Sequence, residues 1–471
     1  MRKTKIVATL GPSSTSKEMI EKLITAGVDV ARLNFSHGTY EEQQEKIDNV
    51  KEVRKKLKKN TAILLDTKGP EVRLSTFRDG RIFLHNGDTF ILRAEKVEGD
   101  ETQCSISYPD LYRSLKIGDK VLVDDGNLEL QVESIEGRDV VTKVIIGGPV
   151  SNRKGINTPG IHVERDYLSE IDKADILFGL RNDIDMIAAS FVENAQNIRD
   201  LRAFIRDNGY DDIMIISKIE SQEGLDNAEE IIRESDGVMV ARGDMGVEVP
   251  ISEVPVMQKR LITMANNYGK LVITATQMLE SMINNPRPTR AESTDVANAI
   301  YDGTCAVMLS GETAAGKYPV EAVMTMDRIA RRTEEDINYK KRFYLHQKEA
   351  SSITEAITHA ACTVAHDINA KAIIAMTKSG STCSLVSQYK PQAMIIGCGM
   401  DEKVLRQLNL NFGVVPLYVR ECNDTDEMID LAIENAIRKG ILSSGDEVVI
   451  TAGVPLGKPG FTNMLKVVKV K

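Results

Sequence analysis

The sequence contains few cysteines, and they are not arranged for a metal site or a disulfide framework. Six are spread over 471 residues, without a C-x-x-C pair and without a histidine-rich segment beside them. Zinc modules and disulfide-stapled domains both need closely spaced cysteines. We therefore expect reduced thiols, as in a cytosolic protein, at Cys104, Cys305, Cys362, Cys383, Cys398 and Cys422.

The sequence also lacks an excess of positive charge. Lys and Arg number 60 against 69 Asp and Glu, which gives a net charge of −9. A dedicated nucleic-acid-binding protein normally carries a basic surface. We therefore expect no nucleic-acid partner, and any bound phosphate must be held by a local group of cations.

Long hydrophobic runs are missing as well. The N-terminal segment MRKTKIVATLGP is too short in its apolar part for a signal peptide. No uncharged stretch reaches the roughly 18 residues of a membrane-spanning helix. We expect neither secretion nor a membrane partner, and a cytoplasmic location.

A repeated unit is present instead: a short apolar run, a polar or glycine-containing cluster, and a helix-like stretch such as SKEMIEKLITAG. Strands that alternate with amphipathic helices form parallel sheets, and eight such units are what a closed (β/α)₈ TIM barrel requires. The apolar runs lie at 5–12, 29–38, 61–70, 185–192, 213–220, 237–246, 271–279 and 305–313.

Two further regions interrupt or follow this pattern. Residues 71–165 read as short strands separated by turns, which predicts a small β-barrel domain inserted between barrel segments 1–70 and 166–340. Residues 341–471 alternate helix and strand again, which predicts a C-terminal α/β doubly wound domain. The charged stretch 328–343 connects barrel and C-terminal domain, and it is equally compatible with one long surface helix.

Cations stand at or just after several predicted strand ends: Arg32, Arg73, Lys218 and Arg242. Barrel enzymes work at the carboxyl ends of their strands, so these groups should converge. Each one alone could be a structural salt-bridge partner. Together they favour a polyanionic substrate, because guanidinium groups bind phosphate or carboxylate bidentately.

Two carboxylates, Glu220 and Asp244, end neighbouring strands and suit Mg²⁺ or Mn²⁺. Alternatively, Glu220 only neutralises Lys218, since the two share one strand face. Gly243 and Gly246 favour the site, because they allow close approach and leave amide groups to face an anion.

A second oxygen-rich group combines Asn34 and Ser36 with Asp66 and Thr67. One formal charge among amide, hydroxyl and carboxylate oxygens suits a monovalent cation, although these residues are also common capping residues. Thr276 ends the seventh strand, where its hydroxyl could relay a proton or cap the next helix.

The C-terminal region has an anion signature of its own. Hydroxyls and a glycine follow the strand AIIAM, and the segment 453–463 could fold over them. An ordinary strand-to-helix turn is the alternative. The residues concerned are Thr377, Lys378, Ser379, Gly380, Ser381 and Thr382.

These residues stand in motifs that resemble the pyruvate kinase family from residue 5 to residue 470. The resemblance implies transfer of the phosphoryl group of phosphoenolpyruvate to ADP, giving pyruvate and ATP in the last step of glycolysis. The motifs are RLNFSHG, LLDTKGPEVR, KGINTPG, IISKIESQEGL, VARGDMGVE, TATQMLESMINNPRPTRAE, DVANAIYDGTCAVMLSGETAAGKYP, TKSG and GFTNMLKV.

The resemblance also implies roles at the substrate. Arg32 and Arg73 hold phosphate, and Lys218 stabilises charge on the migrating phosphoryl group and on the forming enolate. Thr276 belongs to the proton path to the enolate carbon. The pyruvate carboxylate meets Gly243 and Asp244, with Thr276 nearby.

Ions, nucleotide and regulation follow from the same resemblance. Mg²⁺ or Mn²⁺ sits on Glu220 and Asp244, while K⁺ takes Asn34, Ser36, Asp66 and the Thr67 backbone; Glu71 matches the family form that needs K⁺. ADP or ATP contacts Asn34, His37, Arg73 and Lys154, the last from the inserted domain acting as a lid. Residues 377–382 bind an allosteric sugar phosphate or AMP, and the assembly is a homotetramer.

Two other functions remain open at this point. A Mg²⁺-dependent aldolase or lyase that handles pyruvate enolate on a similar barrel shares the carboxylate pair and an arginine, but it needs neither the inserted domain nor the K⁺ group. A non-catalytic sugar-phosphate sensor is less favoured, because the catalytic positions are intact.

Overall fold

The computed structural model describes residues 1–163, 165–345, 350–422, 424–455 and 461–471. The chain begins with two strand–helix units and a third strand, and the two helices start at side-chain caps, at Ser16 and in the Thr39–Glu42 capping box. The elements are β1 (Lys5–Leu10), α1 (Lys17–Ala26), β2 (Val30–Asn34), α2 (Tyr40–Leu57) and β3 (Ala62–Asp66).

An all-β insertion follows β3, and its strands alternate buried and exposed residues, as in β9. Seven strands form one sheet in the order β4-β12-β8-β9-β10-β6-β7, and β11 pairs with β5. The elements are β4 (Val72–Arg73), β5 (Arg81–Leu84), β6 (Thr89–Arg93), β7 (Gln103–Ser105), a 3₁₀ turn (Leu111–Arg113), β8 (Lys120–Val123), β9 (Leu128–Glu136), β10 (Asp139–Ile146), β11 (Gly148–Ser151) and β12 (Gly155–Asn157).

The two edge strands of that sheet meet each other. A bridge joins Leu74, just after β4, to Ile106, just after β7, and Ser75 N donates to Ser105 O over 2.8 Å. The sheet therefore rolls up into the small β-barrel that the turn pattern predicts.

The chain then returns to the large barrel with five further strands. The elements are α3 (Glu170–Arg181), β13 (Met186–Ala189), α4 (Ala195–Asp207), β14 (Met214–Ile219), α5 (Gln222–Asp226), α6 (Ala228–Glu234), β15 (Gly237–Ala241), α7 (Arg242–Glu248), α8 (Val254–Asn267), β16 (Leu271–Ala275), a 3₁₀ turn (Glu280–Ile283), α9 (Arg290–Asp302), β17 (Ala306–Leu309), α10 (Gly311–Ala314), α11 (Pro319–Asp336) and α12 (Tyr339–Leu345).

All eight strands are parallel and close in the order β1-β17-β16-β15-β14-β13-β3-β2. Each strand falls within one of the eight predicted runs, which are mostly apolar because the barrel strands are covered on both faces. The alternative of one long helix over 328–343 is wrong, because α11 ends at Asp336 and α12 begins at Tyr339.

The C-terminal part is an open five-stranded sheet of order β20-β19-β18-β21-β22, in which only β22 runs antiparallel. The elements are α13 (Ile353–Asp367), β18 (Ala372–Met376), α14 (Ser381–Gln388), β19 (Met394–Gly399), α15 (Glu402–Gln407), a 3₁₀ turn (Leu408–Leu410), β20 (Val414–Tyr418), α16 (Thr425–Arg438), β21 (Glu447–Ala452) and β22 (Met464–Lys469).

Helices cover both faces of this sheet. Neighbouring residues of β18 belong to different hydrophobic clusters: Ile374 packs in the cluster that contains α16, and Ile373 in the cluster that contains α13 and α14. The predicted doubly wound arrangement and the predicted fold class are therefore confirmed, while the domain limits at residues 70, 165 and 340 stay predictions.

Two expectations about the chain as a whole can be compared with the structure. None of the six cysteines is in a disulfide. Within the described ranges, no helix has the combined length and apolar character that crossing a bilayer requires.

Candidate active site

Two cations, from β2 and β14, contact one carboxylate from β3 at the mouth of the barrel. Arg32 Nε donates to Asp66 Oδ2 over 2.7 Å, and Lys218 Nζ donates to Asp66 Oδ1 over 3.1 Å. None of the three is more than 8% exposed. Asp66 thus lies between two buried cations, and cations held in this way can also bind an anionic ligand.

Arg32 is fixed by two of its three nitrogens. Besides the bond from Nε to Asp66, Nη1 donates to Thr9 Oγ1 over 2.9 Å. Among the residues that the structure describes, Nη2 has no hydrogen-bond partner. The guanidinium is thus oriented by the protein and keeps one nitrogen for a ligand.

The charges of this cluster stabilise one another. Burial alone would raise the pKa of Asp66, but Arg32 and Lys218 hold it below its usual value. Burial would likewise lower the pKa of Lys218, but Asp66 and Glu220 raise it above that of a free lysine. Lys218 is therefore an ammonium group throughout the physiological pH range.

Ser190 also belongs to this cluster, although we did not predict it. Its hydroxyl accepts a hydrogen bond from Lys218 Nζ over 2.8 Å and donates to the carbonyl oxygen of Thr67 over 2.7 Å. The sequence did contain a signal for it: Ser190 is a polar residue directly after β13, and the predicted site residues stand in the same position relative to their own strands.

Glu220 lies between Lys218 and Asp244. Its Oε2 accepts the amide of Phe191 over 2.7 Å, and its Oε1 lies 2.9 Å from Lys218 Nζ. Burial raises the pKa of Glu220 to about 8; the Asp244 carboxylate adds to this shift and Lys218 opposes it. Glu220 therefore forms the salt bridge to Lys218 that the alternative reading expects. It is also repelled by the neighbouring Asp244 carboxylate.

That pair fits a divalent cation. Two adjacent carboxylates, one of them fully buried, destabilise each other's charge, and a hard dication accepts oxygens of this kind. Glu220 and Asp244 are thus suited to hold Mg²⁺ or Mn²⁺.

The predicted monovalent-cation residues lie beside the same cluster. Asn34 and Asp66 are register partners in β2 and β3, and Asn34 Oδ1 accepts the Ser36 amide over 2.9 Å. The Thr67 carbonyl oxygen is joined to Asp66 through the Ser190 hydroxyl. The donor set contains only oxygen and one formal charge, which fits K⁺.

Thr276 contacts the start of α7. Its Oγ1 accepts the Gly243 amide over 2.8 Å and donates to Ala275 O over 2.6 Å. Two expectations are corrected here: the Gly243 amide is not free to face an anion, and Thr276 caps no helix, because Thr289 caps α9.

Arg242 does not join the cluster that contains Arg32 and Lys218. It donates to the carbonyl oxygens of Ala275 (3.1 Å) and Thr276 (2.6 Å) and pairs with Asp295 over 2.7 Å. Its grouping with Arg32 and Lys218 is wrong, because these protein groups occupy its guanidinium. Arg242 instead holds the end of β16 against α7.

The two predicted site cations of the inserted part are each paired with a carboxylate of that part. Arg73 pairs with Glu71 over 2.5 Å and also donates to Arg153 O over 2.9 Å. Lys154 pairs with Asp124 over 2.7 Å. Both side chains are partly exposed, so an anionic ligand can compete for them.

The inserted part also touches the barrel mouth. Asn157 Nδ2 donates to Glu248 Oε1 of α7 over 2.9 Å. Burial and then the Asp244 carboxylate raise the pKa of Asp125, a residue of the β8–β9 turn. His37 is only partly exposed; this partial burial lowers its pKa, and so do Arg73 and Arg32, which places it in the field of both arginines.

The loop after β18 has the geometry of a tight turn into α14. Thr377 Oγ1 accepts the Gly380 amide over 2.8 Å, and Gly380 has φ +88. Buried Thr382 shares a 2.7 Å hydrogen bond with Thr462. Residues 461–463 thus reach this loop, whereas 456–460, in the segment expected to cover it, lie outside the described residues.

Family models match both large parts of the chain. The model described as pyruvate kinase, barrel domain, matches residues 1–323, and the model described as pyruvate kinase, alpha/beta domain, matches residues 355–468. No support is found for the aldolase or lyase alternative.

Individual proteins agree with these models. Pyruvate kinase of Clostridium perfringens is 47% identical over the full length of both chains, and that of Geobacillus stearothermophilus is 48% identical over 99% of this chain and 80% of its own. The crystal structure of a Cryptosporidium parvum pyruvate kinase matches with a TM-score of 0.94 and 39% identity, covering 100% of this chain and 96% of that one. The chain belongs to the pyruvate kinase family and is a phosphotransferase.

Proposed function

We propose that the barrel mouth transfers the phosphoryl group of phosphoenolpyruvate to ADP, giving pyruvate and ATP. The observation that carries this proposal is the buried Lys218, which lies between Asp66 and Glu220 beside a second carboxylate, Asp244. Phosphoryl transfer needs little covalent help from the protein, so positioned cations and a carboxylate pair for a metal are its main requirements.

Each residue of the cluster has a role in this reaction. Arg32 presents its free nitrogen to the phosphate, and Lys218 stabilises negative charge on the migrating group and on the enolate oxygen. Thr276 stands where a proton can be relayed to the enolate carbon. The substrate carboxylate binds at Gly243 and Asp244, where it competes with Thr276 for the Gly243 amide.

Two ions complete the proposal. Glu220 and Asp244 would hold Mg²⁺ or Mn²⁺, and Asn34, Ser36, Asp66 and the Thr67 carbonyl would hold K⁺. When bound, these ions supply positive charge that offsets the phosphate charges. The protein contributes the oxygens, and it keeps Lys218 oriented through Ser190.

The nucleotide binds between barrel and insertion in this proposal. Asn34 and His37 meet it from the barrel, while Arg73 and Lys154 meet it from the lid. Both lid cations would exchange their present partners, Glu71 and Asp124, for phosphate oxygens. Because Glu71 matches the family form that needs K⁺, we expect the activity to depend on K⁺.

A coupled assay tests the reaction. Pyruvate should appear from phosphoenolpyruvate only when ADP and a divalent cation are present, and it should appear faster with K⁺ than with Na⁺. Pyruvate formation without ADP, or none at all with every component present, would contradict the proposal.

Replacing Lys218 tests its assigned role. We predict that Lys218→Met lowers turnover by at least about 10²–10³, because one preorganised group of this kind contributes that much. Binding of phosphoenolpyruvate should remain largely intact, and calorimetric titration measures it.

Lys270→Met is the matched control for this variant. Lys270 stands at the amino end of β16, where its Nζ donates to Arg233 O and Ser235 O. This control should lose stability but keep its turnover. Near-normal turnover of Lys218→Met, or an equal loss in both variants, would contradict the assignment.

Regulation and assembly are further parts of the proposal. Residues 377–382 with Thr462 would bind a sugar phosphate or AMP through hydroxyls and loop amides, and the active form would be a cytoplasmic homotetramer. Titrating activity with fructose 1,6-bisphosphate, AMP and ribose 5-phosphate identifies the effector. A Ser381→Asp variant, which brings a negative charge to this loop, should remove the response and leave basal turnover unchanged.

A further inference from the structure

A cleft lies beside the barrel mouth, between the linker that follows β12 and the turns after β13 and β14. Its volume is about 170 Å³. Five carboxylates and one guanidinium line it, so its field favours a cation. These charged lining residues are Glu71, Glu193, Glu223, Asp226, Glu248 and Arg165.

Three potential metal ligands converge in this cleft from three different elements. One ligand atom from each of His162, Glu193 and Glu223 lies within 4.8 Å of the others. His162 belongs to the linker after β12, Glu193 to the turn after β13, and Glu223 to α5. The backbone therefore brings together residues that are far apart in sequence.

Ordinary hydrogen bonding accounts for only part of this arrangement. His162 Nδ1 lies 2.6 Å from Glu223 Oε2. The carboxylate of Glu193 makes no hydrogen bond to any residue that the structure describes, although it is partly buried and faces the same two groups. A bound cation would satisfy this carboxylate and remove its repulsion with Glu223.

The ligand types select the metal. One imidazole and two carboxylates suit a borderline ion such as Zn²⁺, whereas Mg²⁺ prefers an octahedron of oxygens. At Zn²⁺ bond lengths of about 2.0–2.1 Å, tetrahedral ligand atoms lie roughly 3.3 Å apart, so the side chains need move by only about 1.5 Å. The His162 side chain is 58% exposed and the Glu223 side chain 31%, which leaves room for this adjustment.

We propose that His162, Glu193 and Glu223 form a Zn²⁺ site at the edge of the barrel mouth, with water as the fourth ligand. The site is distinct from the all-oxygen pair Glu220 and Asp244. Because its ligands join the linker of the inserted part to two barrel turns, a bound ion fixes that linker to the barrel.

Zinc binding can be measured on the full chain after treatment with a chelator. Excess Mg²⁺ is added first to occupy the all-oxygen pair, and Zn²⁺ is then divided between the protein and a chromophoric chelator. The wild type should take up one Zn²⁺. His162→Ala and Glu193→Gln should each bind it at least about tenfold more weakly, since even indirect ligand partners contribute that much.

His85→Ala is the matched control, because His85 is an exposed imidazole of the inserted part outside the cleft. It should bind Zn²⁺ like the wild type. Equal zinc affinity of the wild type and His162→Ala would overturn the proposal, as would the absence of zinc uptake by the wild type.

Hydrogen exchange gives an independent readout that does not use activity. Zn²⁺ should slow amide exchange across residues 158–163 in the wild type and leave it unchanged in His162→Ala, because the ion ties this linker down. Zinc uptake without slower exchange in the linker would place the ion elsewhere and would also overturn the proposal. Neither experiment depends on the reaction proposed for the barrel mouth.

Discussion

Ser190 orients the ammonium group of Lys218 without adding charge. A lysine side chain has four flexible bonds, and here its Nζ is held by Asp66, Glu220 and Ser190 together. The two carboxylates supply attraction. The neutral hydroxyl supplies direction, because it is itself fixed by the carbonyl oxygen of Thr67.

Removing this hydroxyl should impair catalysis more than binding. A hydrogen bond to a charged group contributes roughly 1.5–3 kcal/mol, so we predict that Ser190→Ala lowers turnover by about 10- to 100-fold. The Michaelis constant for phosphoenolpyruvate should change much less, because in the proposed site Arg32 and the ions would still bind the substrate. Steady-state kinetics at saturating ADP measure both quantities.

Ser217→Ala provides the matched control, because Ser217 is a buried serine next to Lys218 whose hydroxyl pairs with Ser235 over 2.6 Å. It should lose stability and keep normal turnover. If Ser190→Ala loses no more turnover than Ser217→Ala, the orienting role is wrong.

The sequence predicts which side chains stand at strand ends, but it does not predict which groups they pair with. Arg32 and Arg242 both stand at strand ends, and the pattern treats them alike. They differ because Arg242 meets Asp295, which lies 53 residues later on α9, and Arg32 meets Asp66 and Thr9. Such pairings depend on which helix face meets which strand end, and this is decided by tertiary packing.

The two linkers of the inserted part show how one backbone conformation can have different consequences. Gly69 precedes the insertion and Gly160 follows it, and both have φ +72. A Cβ at Gly69 would lie 2.8 Å from Ser190 Cβ, whereas a Cβ at Gly160 would meet nothing within 4 Å. The first linker is therefore packed against Ser190 in the charged cluster at the barrel mouth, and the second is open.

This difference predicts unequal effects of the same substitution. Gly69→Ala and Gly160→Ala should both cost roughly 1–2 kcal/mol of backbone strain, because an alanine disfavours positive φ. Only Gly69→Ala should also displace Ser190 and lower turnover, by about the tenfold expected for loss of its hydrogen bond. Comparing turnover and melting temperature of the two variants separates strain from displacement, and equal turnover would refute the steric argument.

Elements differ in how far the sequence determines them. The eight barrel strands were predictable because each is a mostly apolar run whose residues are nearly all buried. The break between α11 and α12 could not be predicted, because Ile337 and Asn338 are neither glycine nor proline, the residues that usually mark the end of a helix. Packing accounts for the break: Tyr339 packs in the barrel core and Phe343 in a C-terminal cluster, so the chain turns between them.

At the scale of the whole molecule, an ion cluster around the buried Asp185 joins the barrel to the C-terminal part. Arg406 of α15 donates to Asp185 over 2.6 Å and to Asp183 over 3.0 Å, both just before β13. Leu410 and Phe412 of the C-terminal part pack in the barrel core beside it. The sequence predicts two domains but not this attachment, because its partners lie more than 200 residues apart.

Breaking this cluster should loosen the attachment without touching the catalytic residues. Asp185 is fully buried, and Arg406→Met would leave its charge with Arg54 at 3.5 Å and the Ile63 amide as remaining partners. Removing one partner of a buried pair costs roughly 3–5 kcal/mol, and we predict the lower end because Arg54 remains. Scanning calorimetry should show earlier unfolding of the C-terminal part, while turnover well below that temperature stays normal.

Two further variants decide whether the buried charge is the cause. Arg420→Met removes an exposed arginine that pairs with Glu427 over 2.6 Å, and it should cost no more than about 1 kcal/mol. Adding Asp185→Asn to Arg406→Met should recover part of the lost stability, because the double variant buries no unpaired charge at this position. Equal destabilisation by Arg406→Met and Arg420→Met, or further loss in the double variant, would show that shape rather than charge holds the two parts together.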